Sequence, residues 1–210
     1  MIYDSVPEYE LIRQGDIFRD IPRIDYSLLE MMVVDSLNEP ARLLTWMELL
    51  EEQVPDIQAI LHIKKVTGIV ITQDCDAARG DFLSLCQIQP YRGCFGSIPS
   101  SPEKWQSQIR KRSRDSLRFF YLPADKSLGF GEKMAVDFRL VLPIKRPELE
   151  SMRNLRIGRL NKVAYEHFRE TLAQFFRRYP YNEWYPFTRE EFQAYRESIE
   201  EEVSPYPWQE

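Results

Sequence analysis

The sequence predicts an α+β fold, in which a small antiparallel β-barrel with an inserted helix is followed by C-terminal helices. Three observations predict it: short apolar runs separated by turn residues, one early stretch with helical spacing, and a long amphipathic segment after them. Hydrophobic residues make up 43% and aromatic residues 13% of the 210 residues, so the chain can bury a core.

The first part of the chain predicts two strands and a helix. A Gly-Asp turn within residues 13–18 opens a strand, and Pro22 is expected to stop it. Residues 28–34 end in β-branched side chains, which predicts a second strand. Residues 43–52 carry apolar side chains on one broad face, which predicts a core-facing helix that ends before Pro55.

The central part predicts further strands. Residues 66–72 are apolar or β-branched at nearly every position, which is typical of a strand buried on both faces, and residues 82–88 are its expected partner. The loop between them, residues 73–80, is rich in residues that hydrogen-bond their own backbone. Residues 117–122 and 134–142 predict two more strands.

Three helices are predicted after the central hairpin. Ser101 is a cap residue that opens the first of them. Residues 160–179 place apolar side chains at helical spacing and predict the second. Thr188 and Glu191 form a capping box that opens the last one, which runs to about residue 200.

These elements favour a small closed sheet buttressed by helices, and an SH3-like barrel fits them best. The sequence contains no low-complexity tract or obvious linker. We therefore expect a single domain over residues 1–210, with a barrel and its insertions in residues 1–145 and a helical extension packed on it in residues 150–203.

The formal net charge of −5 conceals an uneven distribution. Residues 1–60 carry 13 acidic and 4 basic side chains, residues 61–188 carry 13 and 22, and residues 189–210 carry 7 and 2. Two interpretations stay open. Either the acidic ends fold onto the basic middle, or the middle offers a surface to nucleic acid or to an acidic protein.

The sequence predicts a cytoplasmic protein that does not associate with membranes. The N-terminus lacks the basic flank and apolar run of a secretory signal, and no stretch approaches the roughly 18 apolar residues of a membrane span. The three cysteines include no close-spaced pair, which fits a reducing compartment.

The loop of residues 73–80 holds the candidate catalytic residues, which are Asp74, Cys75 and Asp76, with Gln73 and Arg79 as further loop contacts. Paired carboxylates hold hard cations, and a partly exposed thiol can react as its thiolate. Flanking carboxylates oppose the thiolate. The alternative is a tight turn in which the aspartates cap backbone amides.

Zinc ligation is not expected. His62, Cys75, Cys86 and Cys94 have suitable ligand types, but they lack the close spacing that holds two ligands together. We therefore predict no metal and no cofactor.

The helix opened at Ser101 carries a basic cluster made of Arg110, Lys111, Arg112 and Arg114. Such a cluster can contact nucleic-acid phosphates, with an aromatic side chain stacked on a base, or it can bind a protein partner. The alternative is a solvated helix face.

Two segments resemble the PemK/MazF-like toxin fold. Residues 13–18 resemble its "rGDI" first strand, and residues 68–72 resemble its "pVLViS" strand. The resemblance implies a small SH3-like barrel and endoribonuclease activity. The toxins share an arginine just before the second core strand, whereas residues 64–67 read Lys-Lys-Val-Thr in this chain, which favours a barrel without that activity.

The chain also resembles a set of uncharacterised bacterial proteins that combine "QGDIF", "vviTQxCD" and a late "rx(r)L…FFxR" helix, the last at residues 156–160 and 175–178 of this chain. This second resemblance spans more of the chain and implies no particular activity.

Together, the patterns and resemblances predict a non-catalytic binding or regulatory module of a bacterial cytoplasmic system, of the defence or toxin–antitoxin kind. A protein is the expected partner, and RNA is the second candidate. The alternatives are a metal-dependent nuclease or phosphodiesterase, or a MazF-like endoribonuclease, each using the loop of residues 74–76.

Overall fold

The structure is a computed structural model that describes residues 2–34, 40–52, 58–95 and 117–177, together with the single positions 101, 104, 107, 190, 193, 194 and 197. The described part contains a curled antiparallel sheet of seven strands, a smaller sheet of three strands and a few helices. The predicted α+β class with an antiparallel sheet is confirmed.

The seven-stranded sheet is antiparallel throughout. Its strands are numbered in chain order, and their spatial order is β1 (Tyr3–Asp4), β10 (Arg156–Leu160), β2 (Asp16–Asp25), β6 (His62–Val70), β7 (Phe82–Pro90), β9 (Met134–Lys145) and β8 (Phe119–Leu122). Register shifts interrupt the β10–β2, β2–β6 and β7–β9 ladders. Because such bulges bend and twist a strand, they curl the sheet.

A second sheet is inserted between β2 and β6. Its strands, in spatial order, are β4 (Arg42–Leu44), β3 (Met31–Val34) and β5 (Gln58–Ile60), and helix α1 (Trp46–Glu51) follows β4. The outer halves of β2 and β6 form a two-stranded ribbon that carries this insertion. We call residues 24–63 the arm.

The remaining helices lie against the large sheet or beside its loops. They are α2 (Asp74–Ala77), α3 (Tyr91–Phe95), α4 (Arg146–Ser151) and α5 (Lys162–Phe176), and two 3₁₀ turns cover Lys126–Leu128 and Arg153–Leu155.

The large sheet is covered on both faces. On one face, Phe168 of α5 packs against Phe138 and meets Phe120 edge-on, with ring centroids 5.2 Å apart. On the other face, Ala77 of α2 and Leu149 of α4 belong to a separate buried cluster. Burial on both faces explains why the central strands are nearly continuous apolar runs in the sequence.

The strands predicted in the centre of the chain are confirmed. β6 pairs with β7, with Thr67 opposite Ile88, and β8 pairs with β9, with Leu122 opposite Met134. The loop of residues 73–80 differs from the expectation because it contains the short helix α2.

One expectation for the first part of the chain is wrong, and another is confirmed only in part. Pro22 does not end the first strand, since β2 continues to Asp25 and Pro22 lies opposite Lys65. Beyond Phe18, β6 is the only described strand that pairs with β2, so this half of β2 lies at a sheet edge, where proline is tolerated. The predicted helix of residues 43–52 is shorter, because residues 43 and 44 belong to β4.

Helix α1 also differs in its burial. Thr45 caps it in a capping box with Glu48, but only Leu49 of α1 is buried, while Met47 and Leu50 are exposed. The apolar face of α1 therefore does not face the core, contrary to the expectation.

The long helix is confirmed with a later start. α5 begins at Lys162, and Ala164, Phe168 and Leu172 point into the core as the spacing predicts. Leu160 belongs instead to β10, a strand that the sequence patterns did not predict.

The chain divides into two compact units, residues 1–175 and 176–210. The single-domain organisation stays a prediction.

Positions 190, 193, 194 and 197 are helical, whereas the predicted capping residues Thr188 and Glu191 lie outside the described residues. None of the helices that the structure describes is both long and apolar enough to cross a membrane.

Candidate functional site

The candidate catalytic residues Asp74, Cys75 and Asp76 lie on α2, in the connection between β6 and β7. All three side chains are exposed. Gln73 is the N-cap residue of α2, and its carbonyl accepts hydrogen bonds from the N–H groups of Asp76 and Ala77. The side chain of Arg79 is exposed as well.

Both carboxylate oxygens of Asp74 accept hydrogen bonds from outside the loop. The backbone N–H of Gln14 donates to Oδ1 at 2.8 Å, and the Tyr165 hydroxyl donates to Oδ2 at 3.2 Å. Burial and the nearby Asp74 carboxylate raise the pKa of Tyr165, which keeps this phenol a donor. Asp74 therefore ties α2 to the Gly-Asp turn and to α5.

Asp16 is the centre of a buried ion network. Its side chain is 0% exposed, and that of Arg156 is 1% exposed. Arg156 Nη1 donates to Asp16 Oδ2 at 2.9 Å, and Arg159 donates from Nε to Oδ1 and from Nη2 to Oδ2. Arg159 also pairs with Glu10, with Nη1 and Oε2 2.9 Å apart.

The two arginines also hold the N-terminal segment. Arg156 donates to the carbonyls of Pro7, Glu8, Glu10 and Leu11, and Arg159 donates to that of Leu11. Burial is the largest single influence on the pKa of Arg159 and lowers it, but the hydrogen bonds to Asp16 and Glu10 and their negative charges together outweigh burial and raise the pKa. Both guanidinium groups are thus committed to internal partners.

The three sequence motifs therefore meet at one place. We call Gln14, Asp16, Asp74, Arg156, Arg159 and Tyr165 the motif cluster. Gly15 lies at its centre with φ +89°, where its N–H donates to Val70 and its carbonyl accepts from Leu160. Non-glycine residues rarely adopt this conformation, so the "QGD" turn needs a glycine. The cluster joins β2, α2, β10 and α5 through its hydrogen bonds.

The predicted basic cluster of Arg110, Lys111, Arg112 and Arg114 lies outside the described residues. The start of its helix is described in part. Ser101 Oγ accepts a hydrogen bond from the N–H of Lys104 at 3.3 Å, which is the geometry of an N-cap. The predicted start at Ser101 is confirmed, and the role of the basic side chains stays a prediction.

Within the part of the chain that the structure describes, no group of three or more His, Cys, Asp or Glu side chains is placed to hold a metal ion. Cys75 is exposed, Cys86 is buried and Cys94 is intermediate, and all three are free thiols. Burial raises the pKa of Cys86 to about 12 and that of Cys94 to about 11, and in both cases Asp137 adds to the shift.

A second charged pair lies on the large sheet, and it was not predicted from the sequence. Arg139 Nε and Nη2 donate to the two oxygens of the buried Asp137 at 2.9 and 2.7 Å, and Gln89 Nε2 donates at 3.2 Å. The guanidinium of Arg139 also lies 5.4 Å from the Phe119 ring centroid. Two residues of opposite charge at i and i+2 of a predicted strand share a face, so the Asp-x-Arg spacing was an available signal.

Among the described residues, most of the exposed large apolar side chains lie on the arm, which was not predicted from the sequence either. Leu43, Met32 and Ile60 lie directly opposite one another on β4, β3 and β5, so they form one row on one face of the small sheet. Ile24 and Ile63 form a second cross-strand pair on the ribbon. All five side chains are exposed.

Comparison of the chain with protein-family models gives no match, and comparison with curated proteins gives none either.

Proposed function

We propose that the protein is a non-catalytic binding or regulatory module that docks on a protein partner through its arm. The proposal extends to an SH3-like barrel of PemK/MazF-like ancestry working in a bacterial cytoplasmic system of the defence or toxin–antitoxin kind.

The state of the motif residues supports a module without catalysis. Asp16, Arg156 and Arg159 are bound to one another and to backbone carbonyls, and both oxygens of Asp74 accept internal hydrogen bonds. A catalytic acid, base or phosphate ligand must instead offer its polar atoms to a substrate. In this proposal, the motif residues therefore stabilise the fold and do not catalyse a reaction.

The single observation that carries the proposal is the exposed apolar row of the small sheet. Leu43 is 62%, Met32 43% and Ile60 55% exposed. Scattered apolar side chains are normal on a protein surface, but contiguous ones mark interaction sites.

Site-specific photo-crosslinking in the native host tests this proposal. A photoreactive amino acid replaces Leu43 in one variant and Leu11 in the control, because both leucines are 62% exposed but only Leu43 is on the arm. We expect one protein to crosslink at position 43 and not at position 11. Equal crosslinking at both positions, or none at position 43, would contradict docking through the arm.

The alternative functions, in which the protein is a nuclease, need a separate test. A metal-dependent nuclease or a MazF-like endoribonuclease would need Asp74 and Asp76 to act on the substrate. Purified protein should then cleave RNA, and Asp74→Ala should abolish cleavage while a charge-removing change at the exposed Glu51 leaves it intact. We expect no cleavage by the unaltered protein.

A further inference from the structure

We propose that the exposed row of the arm binds a partner segment in which basic side chains accompany apolar ones. This inference rests on the proposed function and goes further, because it specifies the chemistry of the partner.

The geometry of the row indicates that the partner segment carries apolar side chains. Neighbouring strands lie about 4.8 Å apart, so three cross-strand neighbours span roughly 10 Å. That width suits the apolar face of one extended or helical segment. On the opposite face of the small sheet, the buried Val33 lies opposite Arg42 and Ala59. The row of Leu43, Met32 and Ile60 is thus on the exposed side.

The charge of the arm indicates that the partner segment also carries basic side chains. The arm, residues 24–63, contains eight acidic side chains and one basic side chain, Arg42. Arg42 is ion-paired with Glu52, with Nη1 and Oε1 2.9 Å apart. Glu30, Glu48 and Glu51 are exposed. Hydrogen bonds from Thr45 lower the pKa of Glu48, so this carboxylate is ionised at neutral pH.

The charge of the arm also favours one class of binding partner over the others. Nucleic acids and anionic membranes carry negative charge and are repelled by an acidic arm. An arm-to-arm contact between two copies of this chain would bring two acidic surfaces together, which is unfavourable. A protein segment with lysine or arginine beside leucine-like side chains gains from both the apolar row and the negative charge of the arm.

A binding assay with defined peptides and the full chain tests the inference. Three short labelled peptides alternate leucine with lysine, with serine or with glutamate, and fluorescence anisotropy gives each Kd. We expect the lysine peptide to bind at least about tenfold tighter than the serine peptide, and the glutamate peptide not to bind. Raising the salt from about 50 mM to about 500 mM should weaken the lysine peptide and leave the serine peptide nearly unchanged.

Matched variants locate the binding. Leu43→Ser should weaken the lysine peptide about tenfold, whereas Leu11→Ser should change its Kd less than about twofold. Met32→Ser is a second arm variant, and circular dichroism checks that each variant keeps its fold. Equal losses from Leu43→Ser and Leu11→Ser would overturn the inference.

Two further results would overturn the inference and leave the proposed function standing. The first is equal affinity for the lysine and serine peptides, which would mean that the acidic side chains do not select the partner. The second is a concentration-dependent dimer of the unaltered chain that Leu43→Ser abolishes, which would make a second copy the occupant. Crosslinking at position 43 would still identify a docking surface in either case.

Discussion

At the scale of single residues, Asp16 shows why a short motif can be informative without being catalytic. Its carboxylate is buried between Arg156 and Arg159, which are about 140 residues further along the chain. Removing one member of a buried ion network leaves a desolvated charge without its partner, which is costly.

Asp16→Asn should therefore destabilise the protein by about 3 to 5 kcal/mol, measured as the free energy of unfolding in denaturant. Glu10→Gln is the matched control, because Glu10 also pairs with Arg159 but its side chain is 39% exposed. The control should cost about 1 kcal/mol or less. Equal effects of the two changes would show that burial does not set the strength of this network.

The cysteines provide a second residue-scale prediction. At pH 8 roughly one Cys94 in a thousand should be a thiolate, because burial raises its pKa to about 11, and Cys86 should be less reactive still. Cys75 is exposed on α2. Alkylation followed by peptide mass mapping should modify Cys75 first, and faster labelling of Cys94 than of Cys75 would contradict the expected order.

At the scale of elements, α1 depends on its cap. The Thr45 side chain accepts a hydrogen bond from the N–H of Glu48, and the Glu48 carboxylate accepts one from the N–H of Thr45. A helix of six residues has few internal hydrogen bonds, so the capping box determines whether it forms.

Thr45→Ala should therefore cost about 1 kcal/mol of stability, whereas Thr45→Ser should cost only a few tenths. Since the folded state lowers the pKa of Glu48 below its ordinary value of 4.5, the contribution of the capping box is present above that pH and is lost as the pH falls further. Unfolding of the two variants at neutral and acidic pH measures both effects. A loss from Thr45→Ser as large as that from Thr45→Ala would exclude the cap as the cause.

At the scale of the whole molecule, the core favours the protonated forms of several groups. Burial raises the pKa of Tyr3, with Asp125 adding to it, and the Tyr3 hydroxyl donates to the Pro123 carbonyl at 2.9 Å. Burial likewise raises the pKa of Cys86 to about 12. In the unfolded chain these groups ionise at their ordinary values of 10.0 and 9.0.

Stability should therefore be unaffected by these groups below about pH 9 and should fall as the pH rises towards 12. The free energy of unfolding, followed from pH 8 upwards, should decline less steeply in Tyr3→Phe than in the unaltered protein. Tyr9→Phe is the control, because the Tyr9 ring is 82% exposed. A slope that Tyr3→Phe leaves unchanged would show that Tyr3 does not contribute to alkaline unfolding.

Local patterns predict those elements whose structure follows from neighbouring residues. The hairpin of β6 and β7, the start at Ser101 and the buried face of α5 all follow from periodicity or cap chemistry within a few turns of chain. Strand β10 escaped prediction because its Gly158 and two arginines carry no apolar alternation. In the structure β10 pairs with β2, and its Arg156 and Arg159 bind Asp16 of that strand.

By itself, the sequence determined the α+β class and the antiparallel pairing in the centre of the chain, and it singled out the motifs that contain Asp16 and Asp74. Their roles were decided only by the tertiary structure, because the partners of Asp16 and Asp74 lie on distant segments. The tertiary structure also decided that the apolar side chains of the arm are exposed. Apolar side chains such as Leu43 and Met47 follow the same local patterns whether they are buried or exposed, and only the packing of the whole chain leaves them on the surface.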